Sequence, residues 1–229
     1  MKGYSIDPDL IKLEEFRELT AGRNMLPGRV MLQEQMEERY ALLKASGMEH
    51  LGQLLRFLAS KSKIESYSKR TGLTTEYLTL LKREAGSYLS TPFPLSNFPG
   101  IPFEYAELLK SRRIKHTKDF YEQVQTKQQQ ERMATDTGIP SYRMEELFSL
   151  CDLSRITGVG GVFARIVYEA GIRSVEEFAC TDIPTQLSRY RTVIEKYKYA
   201  AGKLGEEDIR YGVHYARVVV ACDKKSENK

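Results

Sequence analysis

The chain has 229 residues, 41% of them hydrophobic and 29% charged, a balance that excludes a disordered or fibrous design and fits one large domain or two ordinary ones. Lys and Arg outnumber Asp and Glu by 35 to 31, and the excess is distributed as +2 over residues 1–90, −1 over 91–152 and +3 over 153–229. So small an excess permits nucleic-acid binding but excludes a chain built as a dense phosphate binder. The opening MKGYSIDPDL has no apolar stretch after its basic residue, so no secretory leader is expected. The longest apolar run, Val218 to Cys222, is far short of the ~20 residues of a membrane span. Cys151, Cys180 and Cys222 are widely separated, which predicts a reduced, cytoplasmic chain rather than a disulfide framework. His50, His116 and His214 are equally scattered, so neither a metal nor a cofactor is expected.

Along the chain, helical spacing dominates and strand-like alternation is scarce. Asp7 followed by Pro8 predicts a helix start, with Leu10, Leu13, Phe16 and Leu19 on one face. Gly22, Asn24, Pro27 and Gly28 break the pattern, and a second helix is predicted from Val30 to Ala45, ended by Gly47. Internal repetition follows. Shifted by 58 residues, Leu95–Phe120 overlies Leu153–Phe178 without a gap, with six identities in 26 pairs and seven further pairs that keep apolar, basic or acidic character. A shift of 66 places Leu42, Leu43, Lys44 and His50 on Leu108, Leu109, Lys110 and His116, and Thr71-Gly72-Leu73 on Thr137-Gly138-Ile139. Pro92 and Pro94 bracket a linker, so two domains are predicted, 1–94 with the first unit and 95–229 with two paired units. The stretch Leu187–Lys203 is rich in Tyr and basic residues, Gly205 is a breaker, Glu206–Val220 reads as a last amphipathic helix and Asp223–Lys229 as a frayed tail.

The segment Ile156-Thr157-Gly158-Val159-Gly160-Gly161-Val162-Phe163-Ala164 has the form hxGhGxxxA between two apolar helices and resembles a helix-hairpin-helix motif. In that motif glycines permit a tight turn whose backbone N–H groups, at the start of the second helix, face an anion, usually a DNA phosphate contacted without regard to sequence. The companion turn, Phe98-Pro99-Gly100-Ile101-Pro102, departs from the pattern because Pro102 has no N–H to donate. Beyond one turn, MLPGRVMLQEQMEERYALLKASGMEHLGQLL (25–55), TGLTTEYLTLLKREAGSYLSTPFPLSNFPGI (71–101) and CDLSRITGVGGVFARIVYEAGIRSVEEFA (151–179) are similar to successive signatures of a bacterial family. That family is catalogued as a domain of unknown function with repeated helix-hairpin-helix-like units, and the resemblance spans about Leu10 to Val220. It implies an all-α fold of about a dozen short helices in tandem helix-hairpin-helix-like (SAM-like) units, and it implies no activity.

Three basic clusters accompany the turn: Lys110, Arg112, Arg113, Lys115, His116 and Lys118; Lys61, Lys63, Lys69 and Arg70; and Arg189, Arg191, Lys196, Lys198 and Lys203, interleaved with Tyr190, Tyr197 and Tyr199. Each reads as an ordinary solvated helix face, or together as one face following a nucleic-acid backbone with tyrosines stacked on bases. The residues expected to bind DNA or RNA are Gly158, Val159, Gly160 and Gly161 with Arg155, Arg165, Arg112, Arg113 and Lys115. No catalytic residue is expected. Asp182 follows Gly160 at a spacing suggestive of a DNA glycosylase, but it reads better as a helix N-cap before Pro184. A non-enzymatic nucleic-acid-binding protein is therefore expected, the alternative being a protein-interaction scaffold that has lost phosphate binding, as Pro102 favours; no membrane partner is expected.

Overall fold

The structure, a computed structural model, describes residues 2–25, 27–199, 202 and 204–227, and those residues hold thirteen α-helices, three 3-10 turns and no strand beyond two isolated bridges. Two compact units result: one is Ile6–Leu89, and the other joins Met1–Ser5 to Ser90–Lys229.

The first unit contains α1 (Leu13–Ala21), α2 (Met36–Ala45), α3 (Leu51–Phe57), α4 (Lys61–Thr71) and α5 (Thr75–Gly86). Asp7 does cap a helical turn, but only the 3-10 turn Pro8–Leu10. The helix expected there starts later, because Ile11 and Lys12 are extended and pair with the chain before α3: Leu51 N–H donates to Ile11 O (2.9 Å) and Leu13 N–H to Glu49 O (2.8 Å). The helix expected from Val30 is likewise interrupted. Val30 to Leu32 belong to the 3-10 turn Pro27–Leu32, which buries Leu32, and the left-handed Gln35 (φ 46°) separates that turn from α2. The core gathers Phe16, Leu43, Leu51, Leu54, Leu78 and Leu81, with the Phe16 ring set against Tyr40 and Tyr88 at 6.4 and 5.7 Å. One carboxylate is enclosed with it: fully buried Glu84 accepts from Arg23 and Arg29.

The second unit contains the 3-10 turn Leu95–Asn97 and then α6 (Phe103–Ser111), α7 (Thr117–Gln123), α8 (Lys127–Thr137), α9 (Ser141–Leu153), α10 (Gly161–Glu169), α11 (Val175–Ala179), α12 (Ile183–Tyr197) and α13 (Glu206–Glu227). Helix α13 continues to Glu227, into the segment expected to fray from Asp223, since Asp223 is buried in an ion pair described below.

Helix limits recur along the chain. Helices α3 and α7 begin and end 66 residues apart, as do α4 and α8, while α6 and α10 are related by 58. The reasons are local. After α2, α6 and α10 the chain turns through a left-handed residue, Gly47 (φ 86°), Arg113 (φ 67°) and Gly171 (φ 99°). The next N–H, of Met48, Ile114 or Ile172, then returns to the carbonyl of Leu43, Leu109 or Val167 (3.2, 3.0 and 3.2 Å), the hydrogen bond of a Schellman cap. Those three residues are buried, so their apolar side chains fix the exit direction. His50 and His116 occupy the N-caps of α3 and α7, and Gly72 (φ 77°) and Gly138 (φ 72°) end α4 and α8 in the left-handed conformation.

Candidate nucleic-acid interface

The two glycine turns of the second unit are alike at the glycine and differ at the N-cap, Pro102 with ψ 134° against Gly160 with ψ −179°. Gly100 (φ 80°) and Gly158 (φ 86°) are both left-handed, and Ile101 N–H reaches Phe98 O (3.4 Å) as Val159 N–H reaches Ile156 O (3.0 Å). They also interlock. A Cβ on Gly161 would lie 2.3 Å from Asn97 O, so only glycine lets the start of α10 press on the 3-10 turn Leu95–Asn97. A Cβ on Gly100 would in turn lie 3.6 Å from the Arg165 guanidinium, whose Nε donates to Pro99 O (2.7 Å).

The residues predicted around the Gly158–Gly161 turn therefore divide. Gly158 and Gly160 are exposed, and Gly160 caps α10. Gly161 is a packing glycine, and Val159 is buried with its N–H already engaged within the turn. Arg155 and Arg165, expected to lend charge to a phosphate, are structural instead. Arg155 is 1% exposed; it donates to Asp223 (2.6 Å), Asp152 (2.9 Å), the Tyr121 hydroxyl (2.8 Å) and Tyr4 O (3.1 Å). Burial opposes its charge, and the two carboxylates keep the guanidinium protonated. Arg165 is 2% exposed and pairs with Glu146, which also holds Arg143 at 2.6 Å. Neither arginine faces solvent, so what the residues predicted at this turn expose is the backbone at Gly158 and Gly160.

Exposed cations are found at a pocket that the same 3-10 turn helps to line. Lys110, Lys115 and His116, with the acidic Glu107 and with Leu95 and Ser96, line a surface pocket of about 320 Å³. Leu95–Asn97 thus meets the glycine turn through Asn97 and lines the pocket through Leu95 and Ser96. Arg112, Arg113, Lys115 and Lys118 are exposed; Lys110 pairs with Glu107 (3.0 Å), and Arg112 donates to the Asp136 carbonyl near the end of α8. His116 caps α7 reciprocally with Asp119, whose carboxylate accepts from the N–H groups of His116 (2.9 Å) and Lys115 (3.0 Å). Burial pushes the Asp119 carboxyl up, but those two N–H groups and the His116 side chain outweigh it and hold its pKa below the ordinary value. Arg113, like Gln35 and Lys198, is left-handed without being glycine. It adopts the left-handed geometry that the two corresponding turns give to Gly47 and Gly171, at a penalty of about 1–2 kcal/mol for a residue with a Cβ. Its sequence signal was alignment of Arg113 with glycine at both offsets, which a scan for charge alone passes over.

None of the residues of the other two clusters lines this pocket. Lys61, Lys63, Lys69 and Arg70 are in the other compact unit. In the tyrosine-rich cluster Tyr190 is fully buried and meets Phe163 edge-on at 5.6 Å, so it cannot stack on a base, while Tyr197 and Tyr199 stack on each other at 5.6 Å. Lys203 lies outside the described residues. Asp182 is the N-cap of α12, accepting from Thr185 N–H (3.2 Å), and its hydrogen bonds to Thr185 lower its pKa. Among the described residues no cluster of His, Cys, Asp and Glu is arranged to hold a metal ion, and no helix is long and apolar enough to cross a membrane.

Comparison with protein families places a recognised domain over this region: a model described as Domain of unknown function (DUF4332) matches residues 99–199, from the Gly100 turn to the end of α12. The match is shorter than the span of about Leu10 to Val220 expected from the sequence. No curated protein and no solved structure matches the chain.

Proposed function

We propose that the second unit binds the sugar–phosphate backbone of nucleic acid without sequence preference and without catalysis. The phosphates are received by the exposed backbone at Gly158 and Gly160 and by Arg112, Arg113 and Lys115 around the basic pocket. We infer in the same sense that the Gly100 and Gly158 turns are paired helix-hairpin-helix units and that the offsets of 66 and 58 record tandem duplication. The observation that carries the reading is Arg113. A cation kept in a conformation that favours glycine, at a position where both corresponding turns have glycine, is better explained by a ligand than by the fold.

Fluorescence anisotropy of the full chain with 20-base-pair DNA at 50 and 200 mM KCl tests it. Micromolar binding that weakens steeply with salt, and falls about tenfold in Lys115→Glu, is the expected outcome. No binding at 50 mM KCl overturns it. A scaffold for a protein partner is the second reading, favoured by Pro102, which caps α6 without an N–H, and by the neighbouring Phe103, 65% exposed.

A further inference from the structure

The first unit carries a groove between the end of α3 and the outer face of α4, about 200 Å³ in volume and lined by Arg56, Phe57, Lys63, Ser66, Tyr67 and Arg70. We propose that this groove is a separate site for single-stranded nucleic acid, holding a phosphodiester among Arg56, Lys63 and Arg70 and stacking a base on Phe57.

Lys63, Ser66, Tyr67 and Arg70 are spaced i, i+3, i+4 and i+7, which brings them onto one stripe of α4. Tyr67 anchors that stripe. Its ring is buried and its hydroxyl bonds Ser46, while the Arg70 guanidinium rests over the ring at 4.6 Å. Phe57 stacks with the same ring (6.2 Å between centroids, 23° between planes) and is 38% exposed. The Lys63 ammonium donates to Arg56 O (3.2 Å), which draws it to the mouth of the groove at the C-terminal end of α3. Three cations thus converge with no carboxylate lining the groove. Only Arg56 has an acidic partner, Asp9 at 3.0 Å, and among the described residues Lys63 and Arg70 form no ion pair.

The fold does not need this constellation. Helices α7 and α8 reproduce the limits of α3 and α4, and there the residues 66 further on are Glu122, Gln123, Gln129, Arg132, Met133 and Asp136. The same framework stands with two acids and two amides where the groove has three cations and an aromatic ring. Structural necessity therefore does not account for Arg56, Phe57, Lys63 and Arg70. A cationic groove that also exposes an aromatic face matches an unpaired base next to its phosphate. The bases of a duplex are stacked inside and cannot reach Phe57. This site is in the other unit from the interface proposed above and stands or falls independently of it.

The test uses the full chain with fluorescein-labelled (dT)12 and the corresponding (rU)12. We expect binding at 50 mM KCl that drops about twentyfold by 200 mM, the slope for roughly three phosphates on a single strand. Lys63→Glu and Arg70→Gln, each checked for native helicity by circular dichroism, should weaken (dT)12 binding about tenfold. Phe57→Ala should weaken it about fivefold or more and leave duplex binding unchanged. Ultraviolet cross-linking of 5-bromodeoxyuridine-substituted strands should yield an adduct within residues 56–70. Absent binding, wild-type affinity in both charge variants, adducts only elsewhere, or displacement of the strand by poly-glutamate at lower concentration than by unlabelled (dT)12 each overturns the proposal. Loss of (dT)12 affinity in Lys115→Glu alone, with the groove variants unaffected, places single-strand binding in the second unit and discards this groove.

Discussion

Helices α2–α5 and α6–α9 follow each other with limits that agree to within one residue at an offset of 66, yet they present different chemistry to solvent. What recurs is what the backbone requires: His50 and His116 before α3 and α7, Gly72 and Gly138 after α4 and α8, and buried Leu43 and Leu109 within α2 and α6. What diverges is everything the backbone leaves free. Helix α4 carries Lys61, Lys63, Lys69 and Arg70 against Glu65, whereas α8 balances Lys127 and Arg132 with Glu131 and Asp136. One helical frame therefore supports two surfaces, and a residue that differs between them is a candidate for function once its burial has been checked. Arg113 beside Gly47 and Phe57 beside Gln123 are the two such differences on which the proposals rest.

The largest effect that separates the units is expected at Arg155. Arg155→Met leaves Asp152 and Asp223 buried without their cation, and should destabilise the second unit by about 3–5 kcal/mol. Urea unfolding read by amide exchange should show the loss over residues 90–227; unchanged protection there would mean that the ion-pair cluster is not what holds α9 and α13 together. Next comes Gly161→Ala, whose Cβ would meet the backbone of Asn97. It should destabilise by about 1–3 kcal/mol, as overpacking does, while Gly160→Ala, with nothing near its Cβ, should change stability by less than about 1 kcal/mol. Equal effects of the two in thermal unfolding would break the interlocked-turn picture.

A smaller effect, of opposite sign, tests Arg113. Arg113→Gly gives that turn the residue of the other two and should stabilise the second unit by about 1 kcal/mol while weakening duplex binding severalfold. A variant that gains stability and keeps full affinity removes the functional case for Arg113. The smallest effect is a pH difference at matching places. Asp119 accepts from Lys115 N–H with a carboxylate whose pKa is lowered, whereas at the corresponding place Gln53 accepts from Glu49 N–H (2.6 Å) with a neutral amide. A lowered folded pKa contributes stability that is present above the unfolded pKa, near 3.9, and lost as pH falls through the folded value. Exchange protection of the Lys115 amide should therefore decline as pH falls below about 4, while the Gln53-bonded amide of Glu49 keeps its own.

The all-α architecture was legible, as were the end of α2 at Gly47 and the Asp182 N-cap of α12, because caps are local: an Asp at the N-cap and a glycine past the C-terminus act within a few residues. The two early misreadings, a helix from Asp7 and one from Val30, arose where a longer-range demand overrode the local signal. Ile11 extends to pair with Glu49 and Leu51, and Leu32 is drawn into the core ahead of a left-handed Gln35. The glycine turn was legible as a turn. Its second function, letting Gly161 press on Asn97, was not, since nothing near residue 161 announces a neighbour 64 positions earlier.

By itself, then, the sequence determined an all-helical chain, the glycine turns at Gly47 and Gly158, and that charge is modest and clustered. Tertiary structure alone decided which of those charges meet solvent. Arg155 and Arg165 look in sequence like Arg112 and Arg113, yet the first pair is enclosed because Asp223 and Glu146, 68 and 19 residues away, are folded onto them. An arginine enters a core only where carboxylates meet it there, and that meeting is fixed by how distant helices pack, a quantity that no local pattern carries.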